Sequence, residues 1–399
     1  MFTTLADISL NGRGYYGIGA AAVPYSTALY TYLRITDIND DGTLNLSDLK
    51  SVADKKSKDY LLQPNDIVFA RTGASTGRNY FYDGTDGELV YAGFLIKFSI
   101  NPQKINPKYV KYYCLSKQYK AWIRSFLTGS TRGNINAQTL GKMPIPVIKR
   151  NQQNALVSIL EGIDQKIKLN RKINENLEQQ AQAIFKSWFV DFEPFERKCP
   201  ISWKLATIDD LSAEIVCGKT PSTKKSEYYG DFMPFITIPD MHDSVYVTVT
   251  SKYLSKEGAY LQSKKTLPMN SICVSCIGTA GLVSLVSEPS QTNQQINSII
   301  PKSGYSSYYI YLLMRTLSEK INSLGRCGST IINLNKAEFG KINVVIPSIK
   351  DMQVFDSIVS PIFDFILNNI KENQHLATLR DTLLPRLMSG ELDVSNLDI

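Results

Sequence analysis

From Gln152 to Trp188 apolar residues recur at spacings of three and four, at Leu156, Leu160, Ile163, Ile167, Leu177, Ala181, Ile184 and Trp188. Asn170 and Asn174 fill the two remaining seam positions, and the period predicts a coiled-coil helix. The same seam returns 199 residues later at Phe355, Val359, Ile362, Ile366, Leu376, Arg380, Leu383 and Leu387, with Asn369 and Asn373 between. Only Arg380 departs from the apolar pattern, and Pro385 is expected to bend or end the second helix near its last turn. The offset holds without a gap from Gly129 to Trp188: Gly129-Ser130-Thr131 recurs as Gly328-Ser329-Thr330, Asn134 and Asn136 as Asn333 and Asn335, and Gly141-Lys142 as Gly340-Lys341. The chain is a tandem duplication.

Thirty-odd helical residues span roughly 50 Å, a spacer of fixed length. The seams are centred on residues 172 and 371, so antiparallel pairing about a local two-fold sets Asn170 against Asn373 and Asn174 against Asn369. Seam asparagines weaken a coiled coil but fix its register, which is the role expected of these four.

Each helix follows about 150 residues rich in tyrosine, β-branched residues and turn signals. In the first half these predict a strand over Tyr32–Ile38, a Pro64-Asn65-Asp66 turn, a strand Ile67–Ala70, a Gly73-to-Gly77 turn and a strand Asn79–Tyr82. A helical stretch around Tyr109–Phe126, a glycine loop and a closing strand Met143–Ile148 follow. The second half repeats the order with Phe235–Ile238, Pro268-Met269-Asn270, Ile272–Ser275, Gly278-to-Gly281, Leu282–Val286, a helix around Tyr308–Leu324 and Ile342–Ile346. Here the offset shifts to 204 or 205, so the loops have diverged in length on a shared frame. Diverged loops are where different targets are read.

The formal net charge of +7 is unevenly spread: +8 over residues 1–150, 0 over 151–199, +3 over 200–349 and −4 over 350–399. The globular parts attract a polyanion, and the helical parts suit a protein partner. Six scattered cysteines (Cys114, Cys199, Cys217, Cys273, Cys276, Cys327) imply reduced thiols. No apolar run reaches the roughly 18 residues of a membrane span, and the first residues carry no basic segment before an apolar core, so the chain is expected in the cytoplasm. Cys273-Val274-Ser275-Cys276 lies in an apolar run that reads as a buried strand, which places its thiols on opposite faces rather than together on a metal or as a redox pair.

Gly12-Arg13-Gly14-Tyr15-Tyr16-Gly17 matches a dinucleotide fingerprint in letters only, since no βαβ unit surrounds it. Gly218-Lys219-Thr220 lacks the first glycine of a phosphate loop, alanine standing at 213, and Pro221 prevents the usual helix start. No methyltransferase signature, nucleophile elbow or paired-histidine site occurs, and two histidines remote from any motif leave general-base chemistry by imidazole without support. What remains is a set of cationic, glycine-containing loops with hydroxyl and amide side chains. In the first half the candidates for DNA binding are Arg13, Tyr15, Arg71, Thr72, Thr76, Arg78, Ser130, Thr131, Arg132 and Asn134. In the second they are Lys219, Thr220, Ser222, Lys224, Lys225, Thr279, Arg326, Ser329 and Thr330. Arginine pairs with guanine, asparagine with adenine, and lysine with hydroxyl groups holds phosphates.

Several strings resemble the specificity subunit of type I restriction–modification systems. Arg34-Ile35-Thr36-Asp37-Ile38 and Ile236-Thr237-Ile238-Pro239-Asp240-Met241 resemble that family's paired target-domain motifs. Gly218-Lys219-Thr220-Pro221-Ser222 followed by Tyr228-Tyr229-Gly230 is similar to the opening of its target domains, and the first half has no such string. The stretches Ile184–Pro194 and Leu383–Leu392 resemble the ends of its two spacer helices.

The resemblance covers nearly the whole chain and implies a non-catalytic DNA-reading subunit. The fold expected is α+β: two similar mixed α/β target-recognition domains joined by two long antiparallel coiled-coil helices with pseudo-two-fold symmetry. The divisions expected are 1–150 and 196–349 for the target domains, 151–195 for the central spacer helix and 350–399 for the C-terminal helix and tail. Each domain reads half of a bipartite site on double-stranded DNA, and the helices set the gap. The resemblance further implies docking of two methyltransferase subunits and then restriction–translocase subunits. S-adenosylmethionine, ATP and magnesium would sit on those partners and none in this chain. Two other readings stay open on the residues alone: a DNA methyltransferase or nuclease with an unrecognised active site, and a protein-only scaffold built on the coiled coil. Activity of the purified chain would distinguish the first, and DNA affinity indifferent to salt the second.

Overall fold

The computed structural model describes residues 2–126, 134–242, 244–325, 333–389, 391–392 and 394. The chain divides into two compact units, Met1–Gln165 with Leu376–Ile399, and Lys166–His375.

In the first unit the buried run Ile67-Val68-Phe69-Ala70 forms the strand Asp66–Ala70 because alternate residues face two separate cores. Ile67 and Phe69 pack with the helical side, Val68 and Ala70 with Leu33, Tyr80 and Leu89. The strand lies inside an antiparallel sheet ordered Tyr15–Tyr16, Leu95–Ser99, Asp66–Ala70, Asn79–Tyr82. A second sheet runs Ala22–Pro24, Lys50–Val52, Tyr30–Leu33, Leu89–Tyr91, its last pair parallel. The turn before Asp66 needs a left-handed residue, and Asn65 supplies it at φ 75°.

Two expected elements differ. The strand expected over Tyr32–Ile38 stops at Leu33, because the Asp37 carboxylate turns back to accept the Arg34 N–H at 2.8 Å and closes a 3-10 turn over Ile35–Asp37. The stretch Tyr109–Phe126 is two helices, Pro107–Tyr113 and Lys117–Arg124. Ser116 divides them by accepting the Tyr119 N–H at 3.2 Å, a local bond that competes with a continuous helix.

The second unit repeats this plan. Its larger sheet is ordered Ser212–Cys217, Ile296–Pro301, Ile272–Ser275, Val283–Val286, Tyr246–Val247. The smaller one is ordered Tyr253–Leu254, Tyr229–Ile236, Gln291–Thr292, its last pair again parallel. Asn270 takes φ 64° at the turn matching Asn65. The expected strand Phe235–Ile238 ends at Ile236, where Asp240 accepts the N–H and hydroxyl of Thr237 at 2.8 and 2.6 Å in a second 3-10 turn. The helix expected over Tyr308–Leu324 breaks at Leu317 into Ser307–Thr316 and Ser318–Leu324. Both paired motifs, Arg34–Asp37 and Thr237–Asp240, are therefore capping devices. Cys273 and Cys276 are buried in different cores, and burial pushes both thiols up to about 12.

The long helices are Arg150–Phe189 and Ile349–Ser389, the second ending one turn past Pro385. In the first unit Leu156 and Leu160 share a core with Leu384, Leu387 and Met388. Arg380, the exception in the seam, meets Asp164 at 3.2 Å. In the second unit Ala181 and Phe185 pack with Phe355, Val359, Phe363 and Ile366, and the pairing is antiparallel, Asn170 meeting Asn373 and Asn174 meeting Asn369. Phe185 and Phe363, off the heptad seam, are fully buried, whereas Ile184 and Trp188 are half-buried. A 3.6-residue turn drifts from a 3.5-residue repeat, and these helices also serve the cores beside them. Among the described residues no helix is long and apolar enough to cross a membrane.

Candidate nucleic-acid interface

In the first unit three segments meet beside the edge strand Tyr15–Tyr16. Gly17 N–H donates to Leu95 O at 3.2 Å and Ile18 N–H to Tyr91 O at 3.1 Å, which brings the strand over the short connection at residues 92–94. The approach demands glycine, since a Cβ on Gly17 would stand 2.2 Å from Ala92 O. The end of the strand Asp66–Ala70 closes the other side: Arg71 N–H donates to Phe94 O at 3.1 Å, and Ile135 N–H to Arg71 O at 2.9 Å.

On this frame sit Tyr16, Arg71, Phe94 and Asn134. The Arg71 guanidinium lies 4.9 Å over the Tyr16 ring and donates to Asn134 Oδ1 at 3.3 Å. Its Nε is buried without a hydrogen-bond partner. The Tyr16 hydroxyl accepts the Ala137 N–H at 3.1 Å. A cation held over an aromatic face beside an amide is a hydrogen-bonding surface with its geometry fixed in advance. Phe94 stands 60% exposed beside it.

The second unit builds the same frame. Gly218 N–H donates to Ile296 O at 3.3 Å and Lys219 N–H to Thr292 O at 3.0 Å, and a Cβ on Gly218 would stand 2.1 Å from Asn293 O. Cys276 N–H donates to Gln295 O at 2.8 Å, and Leu334 N–H to Cys276 O at 3.0 Å. Gly17, Ile18, Tyr91 and Leu95 thus correspond to Gly218, Lys219, Thr292 and Ile296, each 201 residues apart. Gly17-Ile18-Gly19 is the first unit's counterpart of Gly218-Lys219-Thr220, and the first half carries no matching string because only the glycine that permits the close approach is shared. Cys217 stands for Tyr16, Cys276 for Arg71 and Gln295 for Phe94.

The candidates from sequence fall into groups. Arg71, Thr72 and Asn134 come together, Thr72 bridging the Asn134 backbone. Arg13 and Tyr15 pair with each other, Nε to hydroxyl at 3.1 Å, on a neighbouring part of the edge strand. Thr76 is bound into its turn, its hydroxyl donating to Gly73 O at 2.7 Å. Arg78 is bound to Asp40 at 2.7 Å and to Ile38 O at 3.2 Å. In the second unit Lys219, Ser222, Lys224 and Lys225 are exposed, and Lys225 donates to the Tyr228 hydroxyl at 3.0 Å. The Thr220 hydroxyl meets Gln294 Oε1 at 2.5 Å. Thr279 is exposed in the Gly278-to-Gly281 turn. Ser130, Thr131, Arg132, Arg326, Ser329 and Thr330 lie outside the described residues. Phe94, Gln294 and Gln295 were not singled out from sequence, although the amide run Asn293-Gln294-Gln295 between two strands was a visible signal.

One backbone frame built twice, with different side chains on each copy, defines a duplicated recognition protein. The model of the type I restriction modification DNA specificity domain matches residues 24–179 and again 200–378. The HindI type I restriction enzyme specificity subunit of Haemophilus influenzae is 31% identical, with 90% of this chain and 95% of that one covered. The MjaIX specificity subunit of Methanocaldococcus jannaschii is 26% identical over 73% of this chain and 70% of its own. Among solved structures, the S subunit of a type I restriction-modification system from M. genitalium has the same fold, with a TM-score of 0.57 at 16% identity, covering 97% of this chain and 95% of that one. The chain belongs to the type I restriction modification DNA specificity family, a recognition subunit rather than a catalytic one.

Proposed function

We propose that each unit reads one half of a bipartite site on double-stranded DNA, that the two long helices set the unread spacer, and that the chain docks two methyltransferase subunits to which restriction–translocase subunits are added. S-adenosylmethionine, ATP and magnesium belong to those partners, and the assembly works in the cytoplasm. The divisions 1–150, 151–195, 196–349 and 350–399 are the functional segments of this scheme. The observation that carries the proposal is the repeated frame around Gly17 and Gly218 with unlike side chains, Tyr16, Arg71 and Phe94 against Cys217, Cys276 and Gln295. A subunit that needs two different half-sites from one duplicated fold requires such a division between constant backbone and changed surface. The +8 charge of residues 1–150 and +3 of 200–349 supply the phosphate attraction. Arg71 and Asn134 are base readers, and Lys219, Lys224 and Lys225 hold phosphates. Arg13, Tyr15, Thr72, Thr76, Arg78, Ser130, Thr131, Arg132, Thr220, Ser222, Thr279, Arg326, Ser329 and Thr330 complete the proposed DNA-facing set.

The test is binding of the complex of this chain with its methyltransferase partner to duplex libraries across a salt series, followed by mapping of methylated adenines. Log affinity falling linearly with log salt, together with a two-part recognised sequence, is expected. Affinity indifferent to salt, or a single uninterrupted site, overturns the proposal.

A further inference from the structure

The two units share the backbone hydrogen bonds that fix Gly17 and Gly218 against the neighbouring strand but differ in the three residues that the glycine strand crosses. In the first unit these are Ala92-Gly93-Phe94, between the strands Leu89–Tyr91 and Leu95–Ser99. In the second they are Asn293-Gln294-Gln295, between Gln291–Thr292 and Ile296–Pro301. Both segments are three residues long and both are fixed at each end, by Ile18 N–H to Tyr91 O and Gly17 N–H to Leu95 O in one, and by Lys219 N–H to Thr292 O and Gly218 N–H to Ile296 O in the other. The backbone is therefore a constant, and chemistry changes only in what projects from it: glycine and an exposed phenylalanine against two glutamines.

Within the second segment the side chains are set by their neighbours. Asn293 is buried and uses its amide twice, accepting the Gln295 N–H at 3.1 Å and donating to Gln295 Oε1 at 2.9 Å, so it shapes the turn. Gln294 is exposed, and its Oε1 is held by the Thr220 hydroxyl at 2.5 Å. Thr220 stands two residues beyond Gly218, on the segment that the glycine brings into contact. An exposed amide fixed by one hydroxyl is restrained in its rotamers before any ligand arrives, which lowers the entropy lost on recognition. A carboxamide offers one donor and one acceptor side by side, the complement of adenine N7 and N6 in the major groove.

We propose that this three-residue segment is a specificity-determining element of each unit, beside the base readers already named, and that in the second unit Gln294 reads an adenine edge while Thr220 acts as its positioning residue. The proposal rests on the DNA-reading function above and names where, on each unit, the half-sites are told apart.

The experiment uses the complex of this chain with its methyltransferase partner, selecting from duplex libraries randomised at every position of the site, with Gln294→Ala, Thr220→Val, Thr220→Ser and Phe94→Ala beside the wild type. Gln294→Ala is expected to lower an adenine preference at one position of one half-site by roughly ten- to a hundredfold, leaving the other half-site as it was. Thr220→Val gives a smaller loss at the same position, Thr220→Ser restores it, and Phe94→Ala changes a preference in the opposite half-site only. Unchanged preferences in Gln294→Ala, loss at a base other than adenine, uniform weakening across the library, or both losses in one half-site would each overturn the assignment. A wild-type complex that selects no sequence overturns instead the function on which the assignment rests, and that result is visible before any variant is read. Gln294 is exposed, so an unaltered melting temperature in Gln294→Ala is expected and separates lost reading from lost folding.

Discussion

Asn170 donates its amide to Asn373 Oδ1 across 2.9 Å, while one turn further along the central helix Asn174 Oδ1 accepts the amide of Asn369 at 2.8 Å. Asn170 is 1% exposed and also donates to Glu372 at 2.7 Å, yet its own Oδ1 is buried without a partner. That orphan acceptor makes the pair a poor source of stability and a good source of alignment. Asn170→Leu with Asn373→Leu should raise the unfolding free energy by about 1–2 kcal/mol, because one unsatisfied and two imperfect polar groups give way to apolar packing. Engineered cysteine pairs along the two helices should then cross-link in more than one register. A single unchanged cross-linking pattern in the double variant would show that the asparagines do not fix the alignment.

Gly218 admits no side chain. A Cβ there would lie 2.1 Å from Asn293 O, and because the neighbour is backbone the strand itself must move. Gly218→Ala should cost about 1–3 kcal/mol and disturb the turn that presents Gln294. Gly17→Ala should behave alike in the first unit, where the contact is 2.2 Å to Ala92 O. By contrast Gly12 and Gly19 have open space around the added atom, so Gly19→Ala is the control that should leave both melting and binding unchanged.

The helices and their antiparallel alignment were legible because a long seam repeats one signal many times, and the four asparagines mark its centre. The strand Asn79–Tyr82 and the interior strand Ile272–Ser275 were legible to the residue, since each carries a buried run bounded by turn signals. Short elements were misjudged where a polar side chain bonds its own backbone: Asp37 and Asp240 end strands that the apolar pattern extends, and Ser116 cuts a helix that it joins. The correspondence of Gly17 with Gly218 was hidden because it is a requirement of space rather than of chemistry. The flanking residues, Ile18 against Lys219 and Gly19 against Thr220, share nothing. Phe94 gave no signal either, since an exposed aromatic between two strands looks like any core residue until its surroundings are known.

Asp164 holds three groups of the first unit together. It accepts the hydroxyl of Tyr112 at 2.8 Å, the ammonium of Lys111 at 3.2 Å and the guanidinium of Arg380 at 3.2 Å. Tyr112 is fully buried, so its phenol ionises well above its ordinary range, burial being the main cause and the nearby carboxylate adding to it. Asp164→Ala leaves that hydroxyl without its acceptor and leaves a guanidinium with 15% of its side chain exposed only the carboxylate of Asp381 at 3.2 Å, and should destabilise by about 2–3 kcal/mol. Arg380→Leu with Asp164→Ala should recover part of the loss, since an apolar residue then occupies the seam position. Chemical denaturation of the single and double variants measures both, and a double variant as unstable as the two singles combined would remove Arg380 from the account.

Arg71 and Lys219 should fail differently when removed. The Arg71 guanidinium is fixed over Tyr16 and against Asn134, so its remaining donors are presented in one orientation, the condition for telling one base from another. Lys219 is exposed on a flexible stem, with its backbone N–H bound to Thr292 O, and its ammonium can follow a phosphate on any sequence. Arg71→Ala is therefore expected to relax base preference by about 1–3 kcal/mol at one position of one half-site. Lys219→Ala should weaken binding nearly equally for all sequences and reduce the slope of log affinity against log salt by about one. The two measurements cross-check each other. A relaxed preference in Lys219→Ala with the salt slope intact would make it a base reader, and an altered slope with unchanged preference in Arg71→Ala would reduce that residue to a phosphate contact.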